Sequence, residues 1–469
     1  MSTGCTAPGS DWLPEMSGFH LNLSLMTPGH YRYAWRLPHS DPTAYLDVDY
    51  FVRLAKIAED AGIDAVFLGD APALRGEIED APGTGIDPLI LLGHVAARTH
   101  SLGVIITSSS TYNSPYNLAR RFQALDIVTK GRAAVNIVTT GTSAAAANFG
   151  LADHPDKATR YRRAWEFLDV VTRLWDGWQP DWLVADKQTG RFADTAKIRP
   201  IDHAGEFFAV AGPLPVPPGP QGRPVIVQSG GSDGGLRLAG DFADVVFTVA
   251  QTKANAVAFR DDVRQRAAAA GRDPDQVKVS LGVVVLVAAT EDEARQRAAA
   301  LNATLPIEQL TRVVVGSLGL DPDSRGPDDP ISLTDLPDVV PATAFSTGFG
   351  VSTRALIAER PRTPRELIEG SAGGSGHRVL VGSPEQIADD LQSWYTAGAA
   401  DGFTIMPAET AVDLETFTRS VVPLLQERGV FHRSHPVQQT LRERLGLDRP
   451  QRRPVEQATH GAGSVPLAS

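Results

Sequence analysis

Eight short runs of β-branched and other apolar residues, spaced by longer stretches of helical periodicity, narrow the fold of this chain more than any other feature. The runs are FHLNLSL (19–25), DAVFLGD (64–70), LGVIITSSS (102–110), RAAVNIVTT (132–140), PVIVQ (224–228), ADVVFT (243–248), VKVSLGVVVLVAAT (277–290) and DGFTIM (401–406). Between the first of them, residues 45–62, 87–99, 117–129 and 160–178 carry amphipathic patterns of helical period. Strands that alternate with helices pair in parallel, because each crossover returns the chain to the same end of the sheet. Eight such units leave no sheet edge when the sheet closes, so the expected fold is α/β, a (β/α)8 TIM barrel. A barrel of this kind takes about 250 residues. The rest of a 469-residue chain then falls into insertions, at about 179–222 and 303–376, within a single domain spanning 1–448. Residues 449–469 lack periodicity and read as a disordered tail.

Composition removes several function classes. A formal charge of -11 repels phosphate backbones and anionic membrane surfaces, which argues against a nucleic-acid or membrane partner. No run approaches the roughly 18 apolar residues of a transmembrane helix, and the first residues have neither the basic start nor the apolar core of a signal peptide. The one cysteine, Cys5, lies in a polar N-terminal arm, so neither a disulfide framework nor a cysteine metal site is expected, and the chain reads as cytoplasmic. Histidines and carboxylates form no H-E-x-x-H, and the pair His432 and His435 has no carboxylate at metal spacing; no metal is expected.

In a barrel of this type the ligand sits at the carboxyl ends of the strands. The residues there are unusually polar: Asp70 after the second run, Thr107 to Thr111 after the third, Thr139 and Thr140 after the fourth, Ser229 to Ser232 after the fifth. The fifth run breaks into SGGSDGG (229–235) before helical periodicity resumes. Glycines let the backbone approach a ligand, and the amides of the following helix favour an anion such as phosphate. A plain turn capped by Ser232 or Asp233 is the alternative. The stretch lacks the G-x-G-x-x-G spacing, and no Walker loop is present. GGSDG (230–234) has the form of a nucleophile elbow, but no histidine and aspartate partners are identifiable.

Several longer motifs resemble one family: HLNLSLM with AWR (20–36), TYNSPYNLARRFQALD (111–126), GRAAVNIVTT (131–140), NFG (148–150), RYRRAWEF (160–167), GPLPVPPGPQGRPVIVQSGGS (212–232), VGSPEQIADDLQSWYTAGAADGFTIMP (381–407) and TLRERLGL (440–447). It is the reduced-flavin-dependent monooxygenases of the nitrilotriacetate and dibenzothiophene-sulfone type, a branch of the bacterial luciferase-like superfamily. The likeness spans roughly residues 16–448. It implies a barrel that takes FMN, reduced by a separate NADH-dependent flavin reductase, and uses dioxygen to oxidise a small organic substrate through a flavin hydroperoxide. A homodimer or homotetramer is implied as well. The intermediate requires a site closed to water, and the insertion at 303–376 is the expected lid. The same barrel serves deazaflavin-dependent oxidoreductases and non-catalytic flavin-binding proteins; the long motifs favour FMN and catalysis.

The resemblance also carries residue roles. Asp70 and Thr107 match positions at the flavin ring, with a helix cap as the other reading of Asp70. Thr139, Thr140, Tyr161, Ser229, Gly230, Gly231 and Ser232 match the region that holds the FMN phosphate and ribityl chain. Lys157 stands where relatives often have a histidine, so an ammonium replaces the imidazole or the contact is lost. The Thr107–Ser108 peptide is expected to be cis, as in luciferase relatives. His20, His30 and Arg36 are the candidate catalytic residues, orienting substrate or stabilising the anionic peroxyflavin, although His20 also fits a hydrogen-bonded core position. Tyr112 and Asn113 either line the pocket or turn the chain. Relatives often show two adjacent histidines near the first strand, and HYRYAWRLP (30–38) keeps one. The pocket is therefore less basic, and an uncharged aromatic or natural-product substrate is expected over an aminopolycarboxylate.

Overall fold

A computed structural model describes residues 18–74, 78–82, 85–338, 347–373, 376–433 and 438–452. The arm bearing Cys5, His435, and residues 453–469 of the expected tail lie outside the described residues.

All eight expected strands are present: β1 (His20–Ser24), β2 (Ala65–Leu68), β3 (Gly103–Ser109), β4 (Ala133–Val138), β5 (Val225–Ser229), β6 (Val245–Thr248), β7 (Lys278–Val287) and β8 (Gly402–Pro407). Each pairs in parallel with its neighbours, and β8 pairs with β1 in the register His20↔Gly402, which closes the sheet into a barrel. Outward residues such as Leu21, Leu23, Val104, Ile106, Val135 and Ile137 are buried under the surrounding helices. Inward residues change character along the strands. Near the amino ends they are Ala65, Ile105, Ala134, Val225 and Val245, an apolar cluster. Two and four positions on, the same faces carry Thr107, Ser109, Asn136 and Ser229. The barrel is therefore oily below and polar at its carboxyl mouth.

The helices start where side chains cap them. Asp47 accepts the Asp49 amide ahead of α1 (Val48–Asp60), Asp87 those of Leu89 and Ile90 ahead of α2 (Pro88–Ala97), and Asp156 that of Thr159 ahead of α4 (Lys157–Asp176). α3 (Pro115–Val128) begins with proline at its first position, where a missing amide costs nothing. Ser232 caps α5 (Asp233–Phe242), Thr252 caps α6 (Lys253–Ala269) and Thr290 caps α7 (Glu291–Asn302).

Between α4 and β5 the chain forms two small antiparallel hairpins, Leu183–Asp186 with Arg191–Ala193 and His203–Ala204 with Ala209–Val210. Between α7 and β8 lie helices including Ile307–Ser317 and Pro364–Glu369, and a strand absent from the sequence reading, Arg378–Gly382. β7 is ten residues long and outruns β6: its first part pairs with β6 from Lys278 to Leu281, and from Val283 to Val287 the added strand takes that edge. The insertion and the β1 loop share one apolar core in which Tyr31, Tyr33 and Ala34 meet Leu286, Met406 and Ile368. At the opposite end, Leu441 of the short helix Leu441–Arg444 and the following Leu445 and Leu447 pack into the oily amino rim. Arg442 binds Asp244 through both terminal nitrogens, at 3.0 and 2.7 Å. None of the described helices is long and apolar enough to cross a membrane.

Candidate active site

The glycine-rich turn after β5 answers to a tyrosine. Ser232 donates to the Tyr161 hydroxyl at 2.9 Å and accepts the Gly235 amide at 3.4 Å, so this serine joins α4 to the start of α5. A Cβ on Gly234 would lie 2.8 Å from the Tyr161 ring, and one on Gly235 would lie 2.9 Å from the Gly230 carbonyl oxygen. Gly230 has φ of +141°, open to glycine alone. The bare backbone thus lets a phenol ring lie against the helix start. The amides of Asp233 and Gly234 have no protein acceptor among the described residues, which leaves two donors and the positive end of α5 beside the Tyr161 hydroxyl. That donor set suits a phosphate. The elbow-like serine is a cap, not a nucleophile with a base beside it.

A polar ladder crosses the next strands. Ser229 donates to Asn136 at 2.9 Å, and Asn136 donates to Thr107 at 3.0 Å, tying β5, β4 and β3 together inside the mouth. Thr140 donates to Ser109 at 2.6 Å, and Ser109 also accepts the Tyr112 amide at 3.2 Å. Thr140 is held at φ of +42°, a left-handed conformation uncommon for a β-branched residue. Arg160 stabilises it by donating to the Thr139 and Thr140 carbonyls at 3.1 and 2.9 Å. The Thr107–Ser108 peptide is not cis; the cis bonds among the described residues are Thr27–Pro28 and Gly212–Pro213.

The candidate catalytic residues separate. His30 is buried at the mouth, its Nε2 3.0 Å from the Ser24 hydroxyl at the end of β1. A second histidine, His377, enters from the insertion, with its ring centroid 6.4 Å from that of His30 and 5.8 Å from that of Phe247. Burial, then the neighbouring His377, push His30 down to about 3, and burial pushes His377 down to about 4. Both imidazoles are neutral at ordinary pH. Gly282 of β7 makes room for this arrangement: a Cβ there would lie 2.7 Å from His377 Nδ1 and 2.9 Å from the Phe247 ring.

His20 belongs elsewhere. It opens β1 at the amino rim, 3.8 Å from Asp64, and four strand residues at about 3.3 Å each separate it from the mouth. Its side chain, half-buried beside Asp64, lies at the opposite end of the barrel from the mouth. Arg36 is exposed and donates to the Thr304 carbonyl at 2.7 Å, joining the β1 loop to the insertion. Asp70 is half-buried just past β2, at the mouth.

Lys157 is exposed at the first position of α4. An imidazole nevertheless reaches this side of the site, because His154 Nδ1 lies 2.7 Å from the Tyr112 hydroxyl. His154, Asn136, Arg160 and His377 were not among the residues expected at the site. The first three flank or fall within the family-like motifs, whereas His377 carries no local signal.

A family model for luciferase-like monooxygenase matches residues 34–401. The chain is 39% identical over 429 residues to nitrilotriacetate monooxygenase component A of Aminobacter aminovorans, spanning 89% of this chain and 93% of that protein. It is 37% identical over 455 residues to dibenzothiophene-sulfone monooxygenase of Rhodococcus erythropolis, spanning 93% and 97%. A solved structure of riboflavin lyase with modified FMN and its substrate riboflavin aligns with a TM-score of 0.79 at 32% identity, covering 92% of this chain and 96% of that one. With the closed barrel, the phosphate-suited turn and near-complete coverage by such relatives in hand, this chain belongs to the luciferase-like monooxygenase family.

Proposed function

We propose that the carboxyl mouth binds reduced FMN and that the enzyme uses it, with dioxygen, to monooxygenate a small organic substrate that carries no essential anionic group. The observation that carries this reading is the cradle in which Gly230, Gly234 and Gly235 yield space to Tyr161, with the Asp233 and Gly234 amides free of protein acceptors among the described residues. Ser229, Gly230, Gly231, Ser232 and Tyr161 hold the phosphate in this reading. Thr139 and Thr140 lie beside the ribityl chain, and Asp70 and Thr107 beside the ring; Lys157 reaches the cofactor from outside or not at all. When bound, FMN supplies the two electrons that reduce dioxygen, so that one oxygen atom enters substrate and the other leaves as water.

The chain's own residues supply position and dryness. Phe67 and Phe247, with ring centroids 5.5 Å apart, pack on the oily amino-end cluster and make an apolar floor beneath the mouth. The shared core of the insertion and the β1 loop covers the neighbouring rim and limits water there. His30 can donate or accept one hydrogen bond without bringing a charge, and Ser24 fixes its orientation. His377 adds a second uncharged polar edge. Neither favours a polycarboxylate, which supports an uncharged substrate. Arg36 acts indirectly, by holding the insertion. A separate NADH-dependent flavin reductase is the partner, and self-association as a homodimer or homotetramer belongs to the same reading.

The test is direct. Anaerobic titration with reduced FMN should reach one equivalent per chain, and Ser232→Ala should weaken binding about tenfold through the lost hydroxyl. With a generic flavin reductase, NADH and labelled dioxygen, a substrate panel should yield products containing one labelled oxygen. Absence of flavin binding, or tight binding of reduced deazaflavin alone, would overturn the reading.

A further inference from the structure

Behind the Thr111–Tyr112 segment, on the outer side of the mouth, lies a groove of about 580 Å³ that the proposed reaction does not use. It runs between the turn after β3, the 149–155 segment, the first turns of α4 and the second hairpin of the insertion before β5. The hydrogen bonds from Thr111 to the Thr139 carbonyl, 2.9 Å, and from the Tyr112 amide to Ser109, 3.2 Å, belong to the partition between groove and mouth.

Its walls are aromatic. Tyr112 stacks on Phe149 with centroids 4.6 Å apart and planes inclined by 15°. Opposite them, Phe207 and Phe208 are fixed through their backbones, because Glu166 accepts their amides at 3.0 and 2.9 Å. Among the described residues of the lining, Arg163 is the only charged one. Its Nε donates to the Thr111 carbonyl at 3.2 Å, and its guanidinium lies 4.3 Å from the Phe208 ring centroid. Both terminal nitrogens of Arg163 are without a hydrogen-bond or ion-pair partner among the described residues. The other arginines of the helix are differently engaged: Arg160 on carbonyls, Arg162 on Glu206, Arg173 on Asp169 and the Ile201 carbonyl. Glu166, one turn on, is already shared among His203 and the two phenylalanine amides. A half-buried, oriented guanidinium with two unused donors recognises a carboxylate, sulfonate or phosphate in a planar, two-pronged manner. Rings on both sides suit a flat aromatic body.

We propose that this groove is a second ligand site, separate from the mouth, for a planar aromatic anion whose acidic group is held by Arg163 and whose ring lies between the Tyr112–Phe149 and Phe207–Phe208 faces. Calorimetry on the full chain with 2-naphthoate, with and without saturating FMN, tests it. One naphthoate should bind per chain whether or not FMN is present. Arg163→Gln should weaken it about ten- to a hundredfold, the range for a hydrogen bond to a charged group. Arg163→Lys should recover part of that loss, and Phe208→Leu should weaken binding without altering FMN affinity. Uncharged 2-naphthalenemethanol should bind at least tenfold less tightly. A second equivalent of FMN that disappears in Arg163→Gln would support the site and identify the flavin as the source of the same chemistry. No measurable naphthoate binding, binding unchanged in both Arg163 variants, equal binding of the alcohol, or displacement by the first equivalent of FMN would overturn the proposal.

Discussion

Gly282 and His377 form a pair in which one residue's missing side chain is the other's place. Gly282→Ala would force a methyl group against the buried His377 ring and the half-buried Phe247 ring, and a loss of about 1–3 kcal/mol is expected from urea unfolding, the usual range for overpacking. His377 itself makes the fold acid-sensitive. Its ordinary value of 6.5 falls to about 4 on burial, so between those pH values the unfolded chain binds a proton that the folded chain refuses. The stability it contributes is complete above about pH 6.5 and declines as pH drops toward 4, by an amount of the order of 3 kcal/mol. His377→Asn should flatten the urea midpoint across that window; an unchanged slope would show that the imidazole is not held neutral. Asp126 and Asp413 act with the opposite sign. Burial raises each from 3.8 to about 6, so the folded chain holds their protons longer and regains stability as pH falls through this range. At this scale the turn with Tyr161 and Ser232 was legible, because serines and glycines between a strand and a helix announce their chemistry locally. His377 was not, since its partners His30 and Gly282 meet it only through a tertiary path. The resemblance to the family points to Lys157, while the nearby His154 is the imidazole that meets Tyr112.

Among the elements, the short helix Leu441–Arg444 has consequences beyond its length. Burial alone would raise Asp244, but the ion pair with Arg442 brings its carboxyl below the ordinary range. Arg442→Ala would leave that carboxylate buried without its cation, and a loss of about 3–5 kcal/mol is expected in chemical denaturation. Replacing both residues together, as Asp244→Asn with Arg442→Met, should recover a large part of it. A double variant no more stable than Arg442→Ala would show that the helix acts through packing by Leu441 and Leu445. The eight barrel strands were legible because β-branched runs buried on both faces stand out from amphipathic helices. The strand Arg378–Gly382 was not, since its existence depends on β7 extending past β6, a property of two other elements. The two hairpins before β5 escaped for a related reason: their strands are two to four residues long and most of their residues are exposed.

For the whole molecule, a ligand that binds only the folded barrel must raise its unfolding temperature. At a hundred times its dissociation constant, reduced FMN should stabilise the chain by about 2.7 kcal/mol, which appears as an upward shift of a few degrees in anaerobic calorimetry. A Ser232→Ala chain at the same FMN concentration should shift less. The overall plan was readable because counting parallel units leads to closure, and closure fixes which ends of the strands face one mouth. What faces it from the insertions was not, since loop-borne side chains obey no period.

The joining of β1 to β8 has a bearing on how the protein is made. A ribosome releases His20–Ser24 long before Gly402–Pro407, so a nascent chain carries two open sheet borders through most of its synthesis. Such borders are prone to pair with other polypeptides, and co-translational chaperones would have their longest engagement with this protein before residue 402 emerges.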